Sequence, residues 1–536
     1  MATGAAGASP VSGPGGNDLL AQKRKNAAGS IGAAYRGGLQ PSQSNLPPLG
    51  RPADDYMVTV AGFGRGRTMA DLEADLCVIG GGAAALAAAS AGAVLGAKVV
   101  IVDRKAEAGA GNSARLALLA AARRAEAVRG AVVFGIGAAQ PRIDLAQVQE
   151  RLRAVSANIA LDRSHVRLRA LGATVLIGDA RFADAATLAV GDQQVRARRF
   201  ILAPASKPSI PPIPGLAESP YLTGDTIAEI DTRPRHLLVL GAGATALELA
   251  QAFRRLGARV TVLQQGRPLP DEDPEVAALV VDALRREEIE FRPVDDFRQV
   301  QSTKAGVRVR FAAHGSEQSV EGSHLLVAAG SEADLDGLGL DAAGIVRGPD
   351  GVPVNAGLRT SNKRVYAVGA AAGAAGDAAE AWQAGLAVRN ALVRILIRAP
   401  AAALPRVAFT DPEFAHVGLT EEQARHKYGA IRLLRWPYSE NDRARTEHAT
   451  AGMVKIVTTR FGRILGATIV GPRASETIAI ISLAIARHMR VRAIADLPLP
   501  YPTLAEAARA AAASDLGRRL TKPWVRRMIG LLRKLG

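Results

Sequence analysis

Residues 75–85 read DLCVIGGGAAA, and residues 99–103 read VVIVD. An apolar run meets three glycines, an alanine-rich segment of helical length follows, and a second apolar run ends on an acid. This pattern is typical of the strand–turn–helix–strand unit that binds dinucleotides. It predicts that Gly80 makes the tight turn, that Gly82 lets a pyrophosphate approach the backbone, and that Ala85 takes the small position where helix packs on strand.

The acid at the end of the second run, Asp103, lies at the spacing expected for a residue that binds the nucleotide's ribose. The N-terminus of the intervening helix should face the pyrophosphate, because its first N–H groups have no partner within the helix. A glycine pattern alone is weak evidence, but here the strands, the helix and the acid agree. The segment is therefore predicted to bind a dinucleotide.

The same pattern returns in residues 237–264, where LLVL is followed by GAGATA and then by a second apolar run. Gly241, Gly243 and Ala246 take the three small positions, and Gln264 stands at the ribose-binding position. Two such units in one chain are much more specific than one. They predict two bound nucleotides in two Rossmann-like α/β domains.

The length and composition indicate how many domains, which partners and which location to expect. The chain has 536 residues, enough for about three domains. The net charge of +17 predicts either an anionic partner or arginine spread over solvated faces, and the aromatic content of 4% disfavours nucleic acid. With Cys77 as the single cysteine, no intrachain disulfide forms, and a reducing, cytoplasmic location is expected. Neither a signal peptide nor a membrane span is expected, and no zinc-type cluster of histidine with Cys77 is found, so no metal site is predicted.

The composition also changes along the chain. The first 70 residues are rich in Gly, Ala, Ser and Pro and are expected to be disordered. Beyond about residue 405, residues 407–413, 453–457 and 464–470 are predicted to form antiparallel strands, followed by two helices, as in an α+β domain. The predicted divisions are 1–70, 71–230 and 353–400 (first nucleotide domain), 231–352 (second nucleotide domain), 401–515, and a basic tail at 516–536.

With these pieces the chain resembles the pyridine nucleotide–disulfide oxidoreductase family, which includes dihydrolipoamide dehydrogenase and mercuric-reductase-like proteins. The markers beyond the two glycine units are PPIPGL at 211–216, Glu248, FTDPEFAHVGLT at 409–420 and YPTLAE at 501–506. The resemblance implies FAD at the first unit, NAD(P)H at the second, and a homodimer formed through residues 401–515.

The sequence departs from the family at its redox centre. Where the family has a Cys-x4-Cys pair, residues 109–115 read GAGNSAR, without sulfur. No thiolate at that position is available to attack a disulfide or bind a soft metal. The family lysine that pairs with a glutamate beside the flavin aligns with Leu116, and the adjacent Arg115 is a candidate substitute. Glu248 is the corresponding glutamate; it orients the flavin partner or the nicotinamide, or it is a solvated acid.

Departures near the flavin predict a weakened FAD site. The family's Ala-Thr-Gly turn ends here on Ala205, and Gly369 is followed by Ala370 where the family has the acid that holds the ribityl chain. A charge-assisted hydrogen bond is worth about 1.5–3 kcal/mol, so its loss weakens binding about tenfold to a hundredfold.

The remaining candidates concern proton transfer and the choice of nicotinamide. In the family a His-Glu pair relays protons across the dimer, and here the positions are Tyr501 and Glu506. Tyrosine is a poor base near neutrality, so Tyr501 either relays a proton or only packs. At the second unit Gln264 favours NAD slightly, although Arg267 is near enough in sequence to reach a 2′-phosphate.

Two functions therefore stay open. The first is a flavoprotein that passes hydride from NAD(P)H through FAD to a small acceptor other than a disulfide, such as a quinone, oxygen or another nicotinamide. The second is a degenerate, inactive nucleotide-binding or scaffolding homologue. The basic amphipathic tail is either a peripheral anchor on anionic lipid or a helix docked on its own domain.

Overall fold

The computed structural model describes residues 71–105, 112–137, 139–162, 164–227, 230–373, 377–393, 397, 404–520 and 523–534. The first 70 residues, for which we expected disorder, lie outside this part of the chain, as do residues 109–111 of the segment that replaces the family's cysteine pair. The helices and strands below are numbered along the described chain.

The elements follow one another in three runs. Up to residue 208 they are β1 (Asp71–Ile79), α1 (Ala83–Val94), β2 (Val99–Asp103), α2 (Ser113–Arg129), α3 (Leu145–Asp162), α4 (His165–Ala170), β3 (Thr174–Ile177), β4 (Ala180–Phe182), β5 (Thr187–Val190), β6 (Gln193–Leu202) and β7 (Ser206–Pro208). Up to residue 333 they are β8 (Leu222–Thr223), β9 (His236–Leu240), α5 (Ala244–Arg255), β10 (Arg259–Gln264), α6 (Pro274–Arg286), β11 (Glu290–Pro293), β12 (Asp296–Thr303), β13 (Gly306–Ala313), β14 (Ser316–Gly322), β15 (His324–Val327) and β16 (Ser331–Ala333). The rest are β17 (Val365–Ala367), α7 (Asp377–Leu392), β18 (Arg406–Ala408), β19 (Glu413–Gly418), α8 (Glu421–Tyr428), β20 (Ile431–Pro437), α9 (Asp442–Thr446), β21 (Met453–Thr459), β22 (Ile464–Gly471), α10 (Ala474–Ala486), α11 (Val491–Ala495), α12 (Glu506–Leu520) and α13 (Pro523–Leu532).

The first sheet has the strand order β3-β2-β1-β6-β5-β4, with β17 beside β6. Strand β1 runs parallel to both β2 and β6, and every residue of β2 is buried. Leu76 and Val78 of β1 pack with α1 and α7 on one face, while Cys77 and Ile79 belong to the core on the other. Burial on both faces explains why these strands read as continuous apolar runs.

The second sheet repeats this arrangement. Its order is β11-β10-β9-β15-β8, and all its neighbouring strands are parallel. Helix α5 connects β9 to β10, as α1 connects β1 to β2. A separate antiparallel sheet of β12, β13 and β14 follows within the same run of sequence.

The C-terminal sheet is antiparallel, with the order β18-β19-β22-β21-β20. Helices α10 and α12 share its apolar core. The single strand that we predicted over residues 407–413 is wrong: β18 ends at Ala408 and β19 begins at Glu413. Pro412 lies between them, and proline has no N–H to donate to a ladder.

One face of α5 ties the second sheet to this C-terminal region. The Gln251 side chain accepts from the Asp411 N–H and donates to the Asp411 carbonyl, both at 2.7 Å. Arg255, one turn further on, pairs with Glu287 at 2.7 Å and with the Asp411 carboxylate at 2.9 Å. Because Gln251 and Arg255 are buried, these bonds are shielded from water and hold residues 409–411 against the helix.

A second buried junction lies at the start of α6. Lys455 of β21 pairs with Asp273 at 2.8 Å, with Glu275 at 2.6 Å and with Glu421 at 2.7 Å. Asp273 is also the N-cap of α6, where its side chain accepts from the Glu275 N–H. A buried ammonium that lost these partners would be strongly destabilising, so the junction fixes α6 on the C-terminal sheet.

The last described helix, α13, exposes several large apolar side chains. Its Trp524, Met528, Leu531 and Leu532 side chains are exposed, and Val525 is buried. Among the described residues, no helix combines the length and the apolarity needed to cross a bilayer.

Candidate functional site

The first glycine turn has the geometry that the sequence predicts. Gly80 has a φ of +128°, and its N–H donates to the carbonyl of Val102 at 2.8 Å. A Cβ at this position would overlap the carbonyl oxygen of Ala203 at the end of β6. Both the dihedral angle and the contact therefore require glycine.

Gly82 leaves open space instead of a close contact. It is the N-cap residue of α1, and a Cβ there would meet nothing within 4 Å. No side chain caps this helix end, and its first turn contains no acid. Ala85 is fully buried one turn further on. The free N–H groups and the helix dipole therefore face a cradle suited to an anionic group such as a pyrophosphate.

The acid at the end of β2 lies beside this cradle. The Asp103 carboxylate accepts from the Lys105 N–H at 3.1 Å and lies 3.1 Å from Nε2 of His165. A Cβ on Gly81 would overlap the same carboxylate, which explains the middle glycine of the turn. Sequence reasoning missed His165, because it lies 62 residues from Asp103 and no local pattern links the two. A carboxylate has about four acceptor sites, so Asp103 retains capacity for ribose hydroxyls.

The second turn reproduces the first. Gly241 has a φ of +109°, and a Cβ there would overlap the carbonyl oxygen of Ala328. Gly243 is the N-cap of α5, has no side-chain cap, and would carry a Cβ into open space. Ala246 is fully buried. The chain thus has two cradles of the same construction, each at an uncapped helix N-terminus.

The ribose-binding position of the second cradle has an unsatisfied acceptor. Gln264 is buried, and its Oε1 has no hydrogen-bond partner among the described residues. An orphaned buried acceptor is costly unless a donor reaches it, and a ribose hydroxyl is such a donor. Arg267 instead donates to the carbonyls of Pro270 and Glu272 within its own loop.

The predicted substitute for the flavin lysine does reach the family's glutamate. The guanidinium of Arg115, in the first turn of α2, pairs with Oε2 of Glu248 on α5. The other carboxylate oxygen, Oε1, accepts from the Phe409 N–H at 2.7 Å. Only 1% of Glu248 is exposed. Burial raises the pKa of the Glu248 carboxyl, and the charge of Arg115 opposes that shift.

Sulfur is absent from this region. Cys77, the one cysteine of the chain, lies within β1 and is fully buried. Burial raises the pKa of its thiol far above the ordinary value, so the reactive thiolate does not form. In the described part of the chain, no group of three or more His, Cys, Asp or Glu residues could hold a metal ion.

An acid that sequence reasoning missed, Glu380, lies beside the turn after β17. Gly369 has a φ of +62°, and its N–H donates to the buried side chain of Gln383 at 2.8 Å. A Cβ on Gly369 would lie 2.9 Å from Cγ and 3.1 Å from Cδ of Glu380, on α7. A carboxylate from α7 therefore lies beside the turn where Ala370 supplies none. Ala205 is exposed in the loop after β6, and its carbonyl accepts from Asp334 N–H at 3.0 Å.

The structure gives Tyr501 and Glu506 separate partners. Tyr501 is 72% exposed, and its hydroxyl donates to the Asp442 carboxylate at 2.9 Å. That hydrogen bond raises the pKa of the Tyr501 phenol. Glu506 accepts from the Thr503 N–H at 3.1 Å, at the start of α12.

Because a phenol held protonated by Asp442 is a poor base, we expect Tyr501→Phe to change kcat by less than about threefold in the NADH oxidation that the family resemblance implies. Steady-state rates across a pH series measure this, with Asp442→Ala as a second variant that removes the acceptor of the same bond. A loss of about 10²-fold or more in kcat, with a shifted pH profile, would instead assign a proton relay to Tyr501.

Comparison with known proteins shows similarity over most of the chain. Residues 74–385 match the family described as pyridine nucleotide-disulphide oxidoreductase, and residues 404–512 match its dimerisation domain. A mercuric reductase from Streptomyces lividans is 34% identical over 459 residues, covering 82% of this chain and 95% of its own. A dihydrolipoyl dehydrogenase from Thermus scotoductus is 33% identical over 449 residues, covering 81% of this chain and 95% of its own.

Solved structures show the same fold. LpdA from Mycobacterium tuberculosis is 27% identical with a TM-score of 0.74, and the match covers 84% of this chain and all of LpdA. The flavoprotein disulfide reductase RclA from Escherichia coli, at 22% identity, has a TM-score of 0.71 over 82% of this chain and 99% of its own. These matches confirm the predicted fold of two Rossmann-like domains and a C-terminal dimerisation domain.

Proposed function

The chain belongs to the pyridine nucleotide-disulphide oxidoreductase family, and from that premise we propose that it binds FAD at the first cradle and NADH at the second and passes hydride to an acceptor that is not a disulfide. The observation that carries this proposal is the pair of uncapped glycine cradles at Gly82 and Gly243, both open to a pyrophosphate. FAD, when bound, supplies the hydride relay between nicotinamide and acceptor.

The residues of the first cradle fit FAD. Gly80 and Gly82 shape the pyrophosphate site, and Asp103 would take the adenosine ribose. Glu380 lies beside the Gly369 turn, and we propose that its carboxylate takes the place of the missing family acid toward the ribityl chain. On this proposal the FAD site is rebuilt from α7 and not merely weakened.

The residues of the second cradle favour NADH over NADPH. The unpartnered Oε1 of Gln264 accepts from a ribose hydroxyl, whereas a 2′-phosphate would bring only further acceptor oxygens to it. Arg267, the nearest cation in sequence, is held by two carbonyls of its own loop. The Arg267 guanidinium is therefore not prepared to receive a 2′-phosphate.

The choice of acceptor follows from the chain's one thiol. Thiol–disulfide exchange needs an accessible thiolate, and Cys77 is buried with a raised thiol pKa. At the position of the family's redox centre, Arg115 instead presents a guanidinium anchored by Glu248. Because a guanidinium stays charged, Arg115 acts as a fixed positive charge and not as a proton donor. We propose a quinone, oxygen or a second nicotinamide as the acceptor.

The proposal also covers the oligomeric state and the domain borders. The dimerisation-domain match over residues 404–512 supports a homodimer. We propose Tyr501 and Glu506 as part of that subunit interface, with no proton relay. The domain borders at residues 230, 352, 400 and 515 stay predictions.

The proposal is tested on the purified full-length protein by its absorption spectrum and its FAD-dependent NADH oxidation. We expect a yellow protein that oxidises NADH faster than NADPH, with a quinone or oxygen as acceptor, and that leaves lipoamide and oxidised glutathione unreduced. A protein that stays colourless after incubation with FAD overturns the proposal and supports the inactive scaffolding alternative, which the missing cysteines motivate.

We expect Glu380→Gln to weaken FAD binding about threefold to tenfold, because it replaces a charge-assisted hydrogen bond of about 1.5–3 kcal/mol with a neutral one about half as strong. Titration of the apoprotein with FAD, followed by flavin fluorescence, measures the dissociation constant. The control is Glu422→Gln, a variant of an exposed acid on α8, whose FAD affinity should equal that of the wild type. Unchanged affinity in Glu380→Gln would contradict the role given to Glu380.

A further inference from the structure

The C-terminal helix α13 exposes an unusual amount of apolar surface. Trp524 and Leu531 are each 63% exposed, Leu532 is 56% exposed and Met528 is 47% exposed. Only Val525 is buried, which anchors the helix at one point. The helix also lies beyond residue 512, where the match to the family's dimerisation domain ends.

The charges of this helix are fully separated from its apolar side chains. At 3.6 residues per turn, one side of α13 carries Trp524, Val525, Met528, Ile529, Leu531 and Leu532. The opposite side carries Arg526 and Arg527, and the turn that follows the helix carries Arg533 and Lys534, all exposed. From residue 516 to the last residue the sequence contains seven Lys or Arg and no Asp or Glu. The tail is therefore both amphipathic and strongly basic.

We propose that α13 is a peripheral membrane anchor that binds the surface of bilayers rich in anionic lipid. In this arrangement Trp524, Met528 and Leu531 enter the boundary between headgroups and acyl chains. The arginines reach lipid phosphates by extending their long side chains upward. A helix lying in the surface needs only short length, which agrees with a segment of ten residues that does not span.

The main competing occupant is a second copy of this chain. Two α13 helices packed on each other would bring two sets of basic residues together with no acid in either tail to offset them. Like charges in contact are unfavourable. An anionic bilayer offers an apolar interior to the apolar side of the helix and a layer of phosphates to its basic residues. The charge pattern therefore favours lipid.

The test is co-sedimentation of the full-length protein with vesicles of phosphatidylglycerol mixed with phosphatidylcholine, compared with pure phosphatidylcholine. We expect binding to the anionic vesicles, at least about tenfold weaker partitioning to the neutral ones, and release by salt. The double variant Trp524→Glu/Leu531→Glu should lose binding at least about tenfold and keep the wild-type rate of NADH oxidation. The vesicle measurements do not rest on the proposed function, because they need no cofactor, whereas the rate of NADH oxidation does rest on it.

The matched control is Phe461→Glu, which charges another side chain that is 63% exposed but lies outside α13. It should sediment with vesicles as the wild type does. The proposal is overturned if the wild type ignores anionic vesicles, or if Trp524→Glu/Leu531→Glu binds them unchanged. It is also overturned if that variant loses dimer mass in sedimentation velocity while vesicle binding persists, because a second copy would then cover the helix.

Discussion

Gly82→Trp is expected to abolish FAD binding, with the affinity lowered on the order of a hundredfold or more, while the protein stays folded. The reason is that a Cβ at Gly82 would meet nothing within 4 Å, and that Gly82 lies at the uncapped end of α1. We expect an indole there to occupy the space in which the pyrophosphate would lie. The absorbance of bound flavin after gel filtration measures the effect.

The second cradle provides the matched control for this variant. Gly243→Trp should keep bound flavin and lose NADH binding, since Gly243 has the same open geometry at the end of α5. Gly80→Val is a poor probe, because its side chain would overlap Ala203 at a φ of +128° and disturb the fold itself. If Gly82→Trp retains flavin, the first cradle is not the FAD site.

Glu248→Ala is expected to lower the free energy of unfolding by about 3–5 kcal/mol. It leaves the partly buried guanidinium of Arg115 and the N–H of Phe409 without their carboxylate, and the cost of an uncompensated buried charge exceeds that of a lost surface pair. Urea unfolding at neutral pH, followed by circular dichroism, measures the change.

A double-mutant cycle separates the ion pair from simple packing. Arg115→Leu combined with Glu248→Leu should cost less than the sum of the two single variants, because neither charge is then left alone. Arg115→Lys should keep most of the stability, since it retains a cation near the same carboxylate. Additive single-variant costs would show that Arg115 and Glu248 do not interact in solution.

The parts of the fold set by local pattern could be predicted from the sequence. The glycine turns at Gly80 and Gly241 are fixed by positive φ and by close backbone contact. Both constraints require glycine, so the turns can be recognised in the sequence. The strands beside them are buried on both faces and therefore appear as apolar runs. The strand predicted over residues 407–413 failed because apolar content was given more weight than Pro412.

The parts of the site set by long-range contacts could not be predicted in this way. Arg115 and Glu248 are 133 residues apart, and their pairing was expected only from the family resemblance, because no local pattern shows that α2 packs on α5. His165 reaches Asp103 across 62 residues, and Glu380 reaches Gly369 from a separate helix. A family alignment predicts losses at aligned positions, but it does not show that a neighbouring helix places a carboxylate beside the same turn.

Glu248, Gln251 and Arg255 lie on one helix, α5, and they bind both α2 and residues 409–411. The same three side chains therefore join α2, the second sheet and the C-terminal region. Lys455 adds a further tie between α6 and the C-terminal sheet. Heating should therefore unfold α2, the second sheet and the C-terminal region together, as a single calorimetric peak. Limited proteolysis should not release any of these parts as a stable fragment.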